Sequence, residues 1–145
     1  MVSNELVCNI IEYLNDNINK EITINELSLL FYFDKTYIMK RFKRELGISI
    51  HEYINTIRIY NSLAYFKDDN YILNIALNNG FNSLEYFSET FKKIMGVSPT
   101  VYKNYLEHLD ISNEKFEKII NNVYRISSIK FNALDYLSHR KRDVS

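Results

Sequence analysis

Turn-forming residues are scarce in this chain: 145 residues hold only three glycines and one proline. Strongly looped β architectures need both in quantity, so the shortage favours an all-α fold. A single cysteine, Cys8, excludes an internal disulfide. The N-terminal stretch MVSNELVCN is not a signal peptide, so a reducing cytoplasm is the expected home and Cys8 is expected to fill core space. No apolar run approaches the ~20 residues that crossing a bilayer requires, and no membrane partner is expected. His51, His108 and His139 stand singly, without the spacing of metal ligands. Gly-rich phosphate loops, nucleophile elbows and paired catalytic carboxylates are also missing. Neither a metal, a cofactor, a catalytic residue nor an enzyme is therefore expected.

What the chain does have is helical periodicity. Of its residues 46% are hydrophobic, enough for a real core. Leu6, Val7, Ile10, Ile11, Leu14 and Ile18 form one apolar stripe on a first helix, from about Asn4 to Asn17. Thr23-Ile24-Asn25-Glu26 reads as a capping box opening a second helix that carries Leu27, Leu30 and Phe31. A third helix runs from Asp34 to the terminator Gly47 and turns Ile38, Phe42 and Leu46 inward. Ser49-Ile50-His51-Glu52 is a second capping box, starting a helix expected to reach Phe66. After the polar turn Asp68-Asp69-Asn70, Ile72, Ile75 and Ala76 mark a fifth helix that stops at Gly80. A sixth begins at Asn82 or Ser83, buries Phe87, Phe91 and Met95, and ends at Gly96. Ser98-Pro99 caps a seventh.

The chain repeats itself. Ile24, Leu27 and Ser28 match Ile72, Ile75 and Ala76; Ile38, Phe42, Leu46, Gly47, Ser49 and Tyr53 match Phe87, Phe91, Met95, Gly96, Ser98 and Tyr102. The register changes by one residue in the turn between the paired helices, where an insertion disturbs least. Two copies of a helix-turn-helix follow, joined by a central linker helix. The expected division is a first subdomain at 1–48, a linker at 49–67, a second subdomain at 68–107 and a helical extension at 108–145.

In a helix-turn-helix the first helix braces a second whose outer face enters the major groove. Here the crossing is made by small residues, Ser28 and Ala76. Net charge is zero, but five basic residues crowd between Asp34 and Arg44 against one acid. Lys35, Thr36, Met39, Lys40, Lys43 and Arg44 are the candidate DNA-facing residues of the third helix. Groove-floor positions lie early, so Thr36, Met39 and Lys40 are candidates for base edges.

The stretch GFNSLEYFSETFKKIMGVSPTVYK resembles the signature of the AraC/XylS family of bacterial regulators. ELSLLFYFDKTYIMKRFKRELGISIHEYINTIRI resembles that family's first helix-turn-helix. The resemblance spans about Asn4 to Tyr105 and implies two recognition helices contacting successive major-groove segments of double-stranded DNA. It places Ser83, Leu84, Glu85, Ser88, Glu89 and Lys92 on the DNA side of the sixth helix. Arg58 matches a family arginine read as a structural or phosphate-side brace. Small members of the family often activate by touching RNA polymerase. The expected function is a stand-alone, sequence-specific transcription regulator.

Three departures stand out. Tyr32 occupies a turn where the family usually has glycine. Ile50 replaces a usual proline. Glu85 and Glu89 sit where basic or amide side chains are ordinary; a capping box from Asn82 accounts for Glu85 better than base readout does, and Glu89 is placed to pair with Lys92 or Lys93. The third helix is therefore expected to supply most of the specificity. Beyond His108, Phe116, Ile119, Ile120 and Val123 trace one amphipathic helix, and Phe131, Leu134 and Leu137 a shorter second one. Residues 108–140 could serve a homodimer or a protein partner, and the terminal His139-Arg140-Lys141-Arg142 reads as a tail. Neutral charge and the two glutamates leave a rival reading open: a helical interaction protein without DNA affinity that sequesters another regulator.

Overall fold

The computed structural model describes the backbone of residues 2–68, 70–108 and 113–144, and the side chains of 5–68, 70–107 and 114–138. The expected His108, His139, Asp69 and terminal-tail side chains lie outside the described residues. Within them all regular secondary structure is helical, with α1 Val2–Asp16, α2 Ile24–Phe31, α3 Lys35–Leu46, α4 Ile50–Ser62, α5 Ile72–Asn78, α6 Leu84–Met95, α7 Pro99–His108 and α8 Asn113–Val144. Two compact units result: residues 1–54 with 129–145, and residues 55–128.

In the first unit, the α1 stripe is the core: Val7, Ile10, Ile11 and Leu14 are wholly buried, and Cys8 is buried among them. Thr23 caps α2 by accepting from the Glu26 amide at 3.1 Å. The Glu26 carboxylate does not complete that box with its own helix. It accepts instead from the Tyr13 hydroxyl of α1 at 2.7 Å, tying α2 to α1 and holding the Tyr13 phenol above its usual pKa. Leu27 is buried at the centre of α2's inner face, while Leu30, expected beside it, is 46% exposed. On a helix Phe31 and Leu30 lie on opposite sides of Leu27, and α1 covers the Phe31 side, where Tyr13 meets the Phe31 ring edge-on at 6.2 Å.

Asp34 caps α3 through the Thr36 amide (3.0 Å), and Ile38 and Phe42 point inward. Leu46 is only half-buried. Gly47, at φ 80°, ends the helix with its amide on the Lys43 carbonyl. Ser49 caps α4 by accepting from the Glu52 amide at 3.1 Å. Tyr53 then packs edge-on against Phe42, and its hydroxyl donates to Asn15 Oδ1 at 2.7 Å. Burial pushes its pKa up to about 12.

In the second unit, α4 gives way at Ser62 to a tighter 3-10 segment, Leu63–Lys67, rather than running on to Phe66. The buried Ser62 hydroxyl donates to the Ile59 carbonyl at 2.6 Å, and the tightened turn brings Phe66 into the core. There Phe66, Phe81, Phe87, Phe91 and Tyr102 form a chain of ring contacts with centroids 5.1–5.6 Å apart. Each fully buried phenylalanine stabilises by about 1.5–3 kcal/mol. The N-cap of α6 is Ser83, whose hydroxyl accepts from the Tyr86 amide at 3.1 Å. The Asn82–Glu85 capping box is thereby corrected: with the cap one residue later, Glu85 stands exposed in the first turn.

The extension is a single 32-residue helix, not two. It contains neither glycine nor proline, and Ser128 bonds back to the Tyr124 carbonyl (2.9 Å) within the helix instead of breaking it. Its Ile119 and Ile126 complete the core of the second unit. Asn122 Nδ2 donates to the Met95 carbonyl at 3.0 Å and Arg125 Nη2 to the Ile94 carbonyl at 2.8 Å. These carbonyls lie in the last turn of α6, which has no partners of its own for them. A Cβ at Gly96 would come within 3.0 Å of Asn122 Nδ2, so glycine there serves both the φ of 81° and the close approach of α8.

Candidate nucleic-acid interface

The two units carry the same device. Helices α3 and α6 are each 12 residues long, each begins at a side-chain cap and each ends on a left-handed glycine, Gly47 (φ 80°, ψ −7°) or Gly96 (φ 81°, ψ −6°). Each is pinned from inside by aromatic and aliphatic side chains: Ile38 and Phe42 in α3, Phe87, Phe91 and Met95 in α6. The candidate DNA-facing residues lie on the opposite side of each helix, at a spacing set by the helix.

On α3 the outward residues are Lys35, Thr36, Met39, Lys40, Lys43 and Arg44, all exposed. The face holds four cations and no acid. Among the described residues none of the four is in an ion pair. Arg41, the fifth base of the segment, is withdrawn from the face: it is half-buried and pairs with Glu45 at 2.9 Å. Met39 is 46% exposed, an apolar surface amid the charges. Lys43 and Arg44 also sit at the negative end of the helix dipole, which stabilises them there.

On α6 the corresponding face is different. Leu84, Glu85, Glu89 and Lys92 are exposed, and Ser83 and Ser88 are half-buried. The Ser83 hydroxyl is already engaged as the cap. Glu89 forms no ion pair with Lys92 or Lys93 among the described residues, contrary to the expected pairing. The face therefore carries both signs openly. Its start is positioned by Tyr86, which accepts from Asn55 Nδ2 of α4 at 2.9 Å, a contact between residues 31 apart that no local sequence signal announces. Arg58 lies on α4 and is buried, with its guanidinium 5.9 Å from the centre of the Phe81 ring. Burial lowers its pKa from the usual guanidinium value. Phe81 opens the turn before α6, so Arg58 stacks beneath the element that presents the α6 face.

Comparison with known proteins agrees with this geometry. A family model described as a helix-turn-helix domain matches residues 31–105, just over half of the chain. The chain belongs to the AraC-type helix-turn-helix family. Its sequence is 29% identical over 104 residues, 71% of the chain, to an HTH-type transcriptional regulator of Staphylococcus aureus (strain COL). It is 33% identical over 98 residues, 67% of the chain, to the melibiose operon regulatory protein of Escherichia coli (strain K12). The chain spans 14% of the first relative and 32% of the second. The C-terminal domain of AraT, a response regulator from Geobacillus stearothermophilus, superposes with a TM-score of 0.65 at 28% identity, covering 68% of this chain and 84% of that one.

Against the AraC-type pattern, the departures take physical form. Tyr32 keeps the left-handed turn conformation (φ 61°, ψ 35°) that Gly80 adopts at the equivalent place in the second unit. Its ring finds almost no cover there, being 91% exposed. Ile50 stands where the second unit has Pro99, and both are buried behind serine caps, Ser49 and Ser98. The first helical position needs no amide donor, so either residue fits.

Proposed function

We propose that this chain binds double-stranded DNA sequence-specifically through α3 and regulates transcription at the bound site. The observation that carries the reading is the α3 outer face: four open cations around Thr36 and Met39, on a rigid helix braced from behind. Thr36, Met39 and Lys40 lie early enough to meet base edges, lysine donating to guanine and the methyl-bearing side chains meeting thymine. Lys35, Lys43 and Arg44 flank them as phosphate contacts. On α6, Ser83, Leu84, Glu85, Ser88, Glu89 and Lys92 form a second and weaker contact, because two carboxylates face the phosphates along with the lysine. Arg58 acts as a brace beneath the α6 turn rather than as a DNA ligand. The helix-turn-helix match and the regulators among its relatives support this reading.

A bound regulator of this kind would act on RNA polymerase directly. Within the first unit, the exposed Phe131 (68%) and Leu134 (50%) of α8 would be the residues offered to a second copy or a protein partner. Selection of bound fragments from the host genome supplies the site, and a fluorescence titration across salt then tests the reading. The logarithm of affinity should fall linearly with the logarithm of salt, by about 0.9 per phosphate neutralised. Absence of binding at low salt, together with a stable complex with another regulator, would favour the sequestering role instead.

A further inference from the structure

Beside the α3 face, the first unit contains an apolar groove of about 450 Å³ between the start of α2, the middle of α3 and the start of α4. Its floor is Leu27, Ile50 and Ile54, all buried, and its walls are Ile24 and Met39. Lys40 and Lys43 stand three residues apart along one edge, the spacing that puts two side chains on one helix face. No aspartate or glutamate lines it. We infer that this groove is a binding site for a small amphipathic anion: an apolar tail on the Leu27–Ile54 floor and a carboxylate or similar head between Lys40 and Lys43.

The size and chemistry support that class of ligand. Pockets that bury small molecules run to roughly 300–1,000 Å³, with mostly apolar walls and few polar anchors. Two uncompensated cations at one edge select an anionic head and disfavour a cationic one. They also disfavour the chain's own C-terminal Arg140-Lys141-Arg142 as occupant. Met39 is flexible and polarisable, suited to closing over a tail of variable shape. The site shares Met39, Lys40 and Lys43 with the proposed DNA face, so ligand and DNA would compete for the same side chains. That consequence, unlike the site itself, rests on the function proposed above.

Decanoate, used below its micelle-forming concentration, is the probe, with decanol and decyltrimethylammonium as neutral and cationic controls. Methyl NMR and calorimetry on the full chain without DNA should show saturable one-to-one binding of decanoate that perturbs Met39 and Ile54. Lys40→Gln/Lys43→Gln, which alters only exposed side chains, should weaken it about fivefold to tenfold. Ile24→Ser should weaken it as well while leaving both lysines in place. Absent saturation, perturbations away from the groove, or equal binding of the cationic amphiphile would overturn the site. In a second arm, decanoate should lower the affinity for selected DNA in proportion to groove occupancy. Intact DNA binding that ignores bound decanoate would overturn the competition. Failure to bind DNA at any ligand concentration would count against the proposed function, leaving the first arm to judge the groove alone.

Discussion

Replacing Tyr32 by glycine should stabilise the first unit, although it deletes a large aromatic side chain. Tyr32 holds φ 61° and ψ 35°, and an L-residue in the left-handed region costs roughly 1–2 kcal/mol relative to the right-handed one. Glycine removes that cost but adds freedom to the unfolded chain, which costs about 0.5–1 kcal/mol. With the residue 91% exposed, almost no apolar burial is lost. The net gain is therefore about 0.5–1 kcal/mol. Unfolding entropy of ~2.1 cal/mol/K per residue converts this to a rise of about 2–3 °C in the midpoint of the 145-residue chain. Circular dichroism melts and urea titrations of Tyr32→Gly and Tyr32→Ala separate the terms, since alanine removes the ring but keeps the Cβ strain. Tyr32→Ala should be nearly neutral, and the converse Gly80→Ala, at φ 88°, should destabilise by about 1 kcal/mol or more. If Tyr32→Gly and Tyr32→Ala both lower the midpoint by the same amount, the ring is a structural contact and the strain argument fails.

Three further outcomes follow from the packing. Tyr53 keeps its proton up to about pH 12 when folded, against about 10 unfolded, so stability is intact below pH 10 and falls as pH rises from 10 to 12. The loss should reach about 1.4 kcal/mol per pH unit, and urea unfolding at pH 8, 10 and 11 would reveal it; a flat profile would contradict the buried phenol. Arg58→Ala should destabilise the second unit by about 1–3 kcal/mol through lost packing and its contact with Phe81, measurable by denaturant unfolding. Asn122→Ala or Arg125→Ala should each cost about 1 kcal/mol and speed amide exchange in the last turn of α6, whose carbonyls they hold.

The sequence spoke clearly where the cause is local. Caps at Thr23, Ser49 and Ser98, glycine stops at Gly47 and Gly96, and the inward phenylalanines of α6 each depend on a few neighbouring residues, and all are found where their spacing places them. The outer faces of α3 and α6 were legible for the same reason: once the inward residues are known, helical period assigns the rest. What was not legible depends on partners far along the chain. Glu26 leaves its own cap for Tyr13, and Leu30 is exposed because α1 covers the other flank of α2. Asn55 steadies Tyr86, and α8 supplies Asn122 and Arg125 to α6. The continuity of α8 turned on the absence of a breaker, which apolar periodicity alone does not register. The choice of Ser83 over Asn82 as cap shifts one residue, yet it removes the local role assigned to Glu85.

The most direct test compares Lys40→Ala with Glu89→Ala in affinity for a DNA fragment selected by the wild-type chain, at two salt concentrations. The two residues are equivalent positions of the repeat, both exposed, so neither substitution should disturb folding. If α3 is the principal reader, Lys40→Ala should weaken binding by about 1–2 kcal/mol, or five- to thirtyfold. Its salt slope should change little and its specificity should relax, because Lys40 is assigned to a base edge and not to a phosphate. Glu89→Ala should change affinity by less than about twofold or tighten it, since removing a carboxylate relieves repulsion from phosphate. Equal tolerance of both substitutions, or a larger loss from Glu89→Ala, would contradict the assignment of α3.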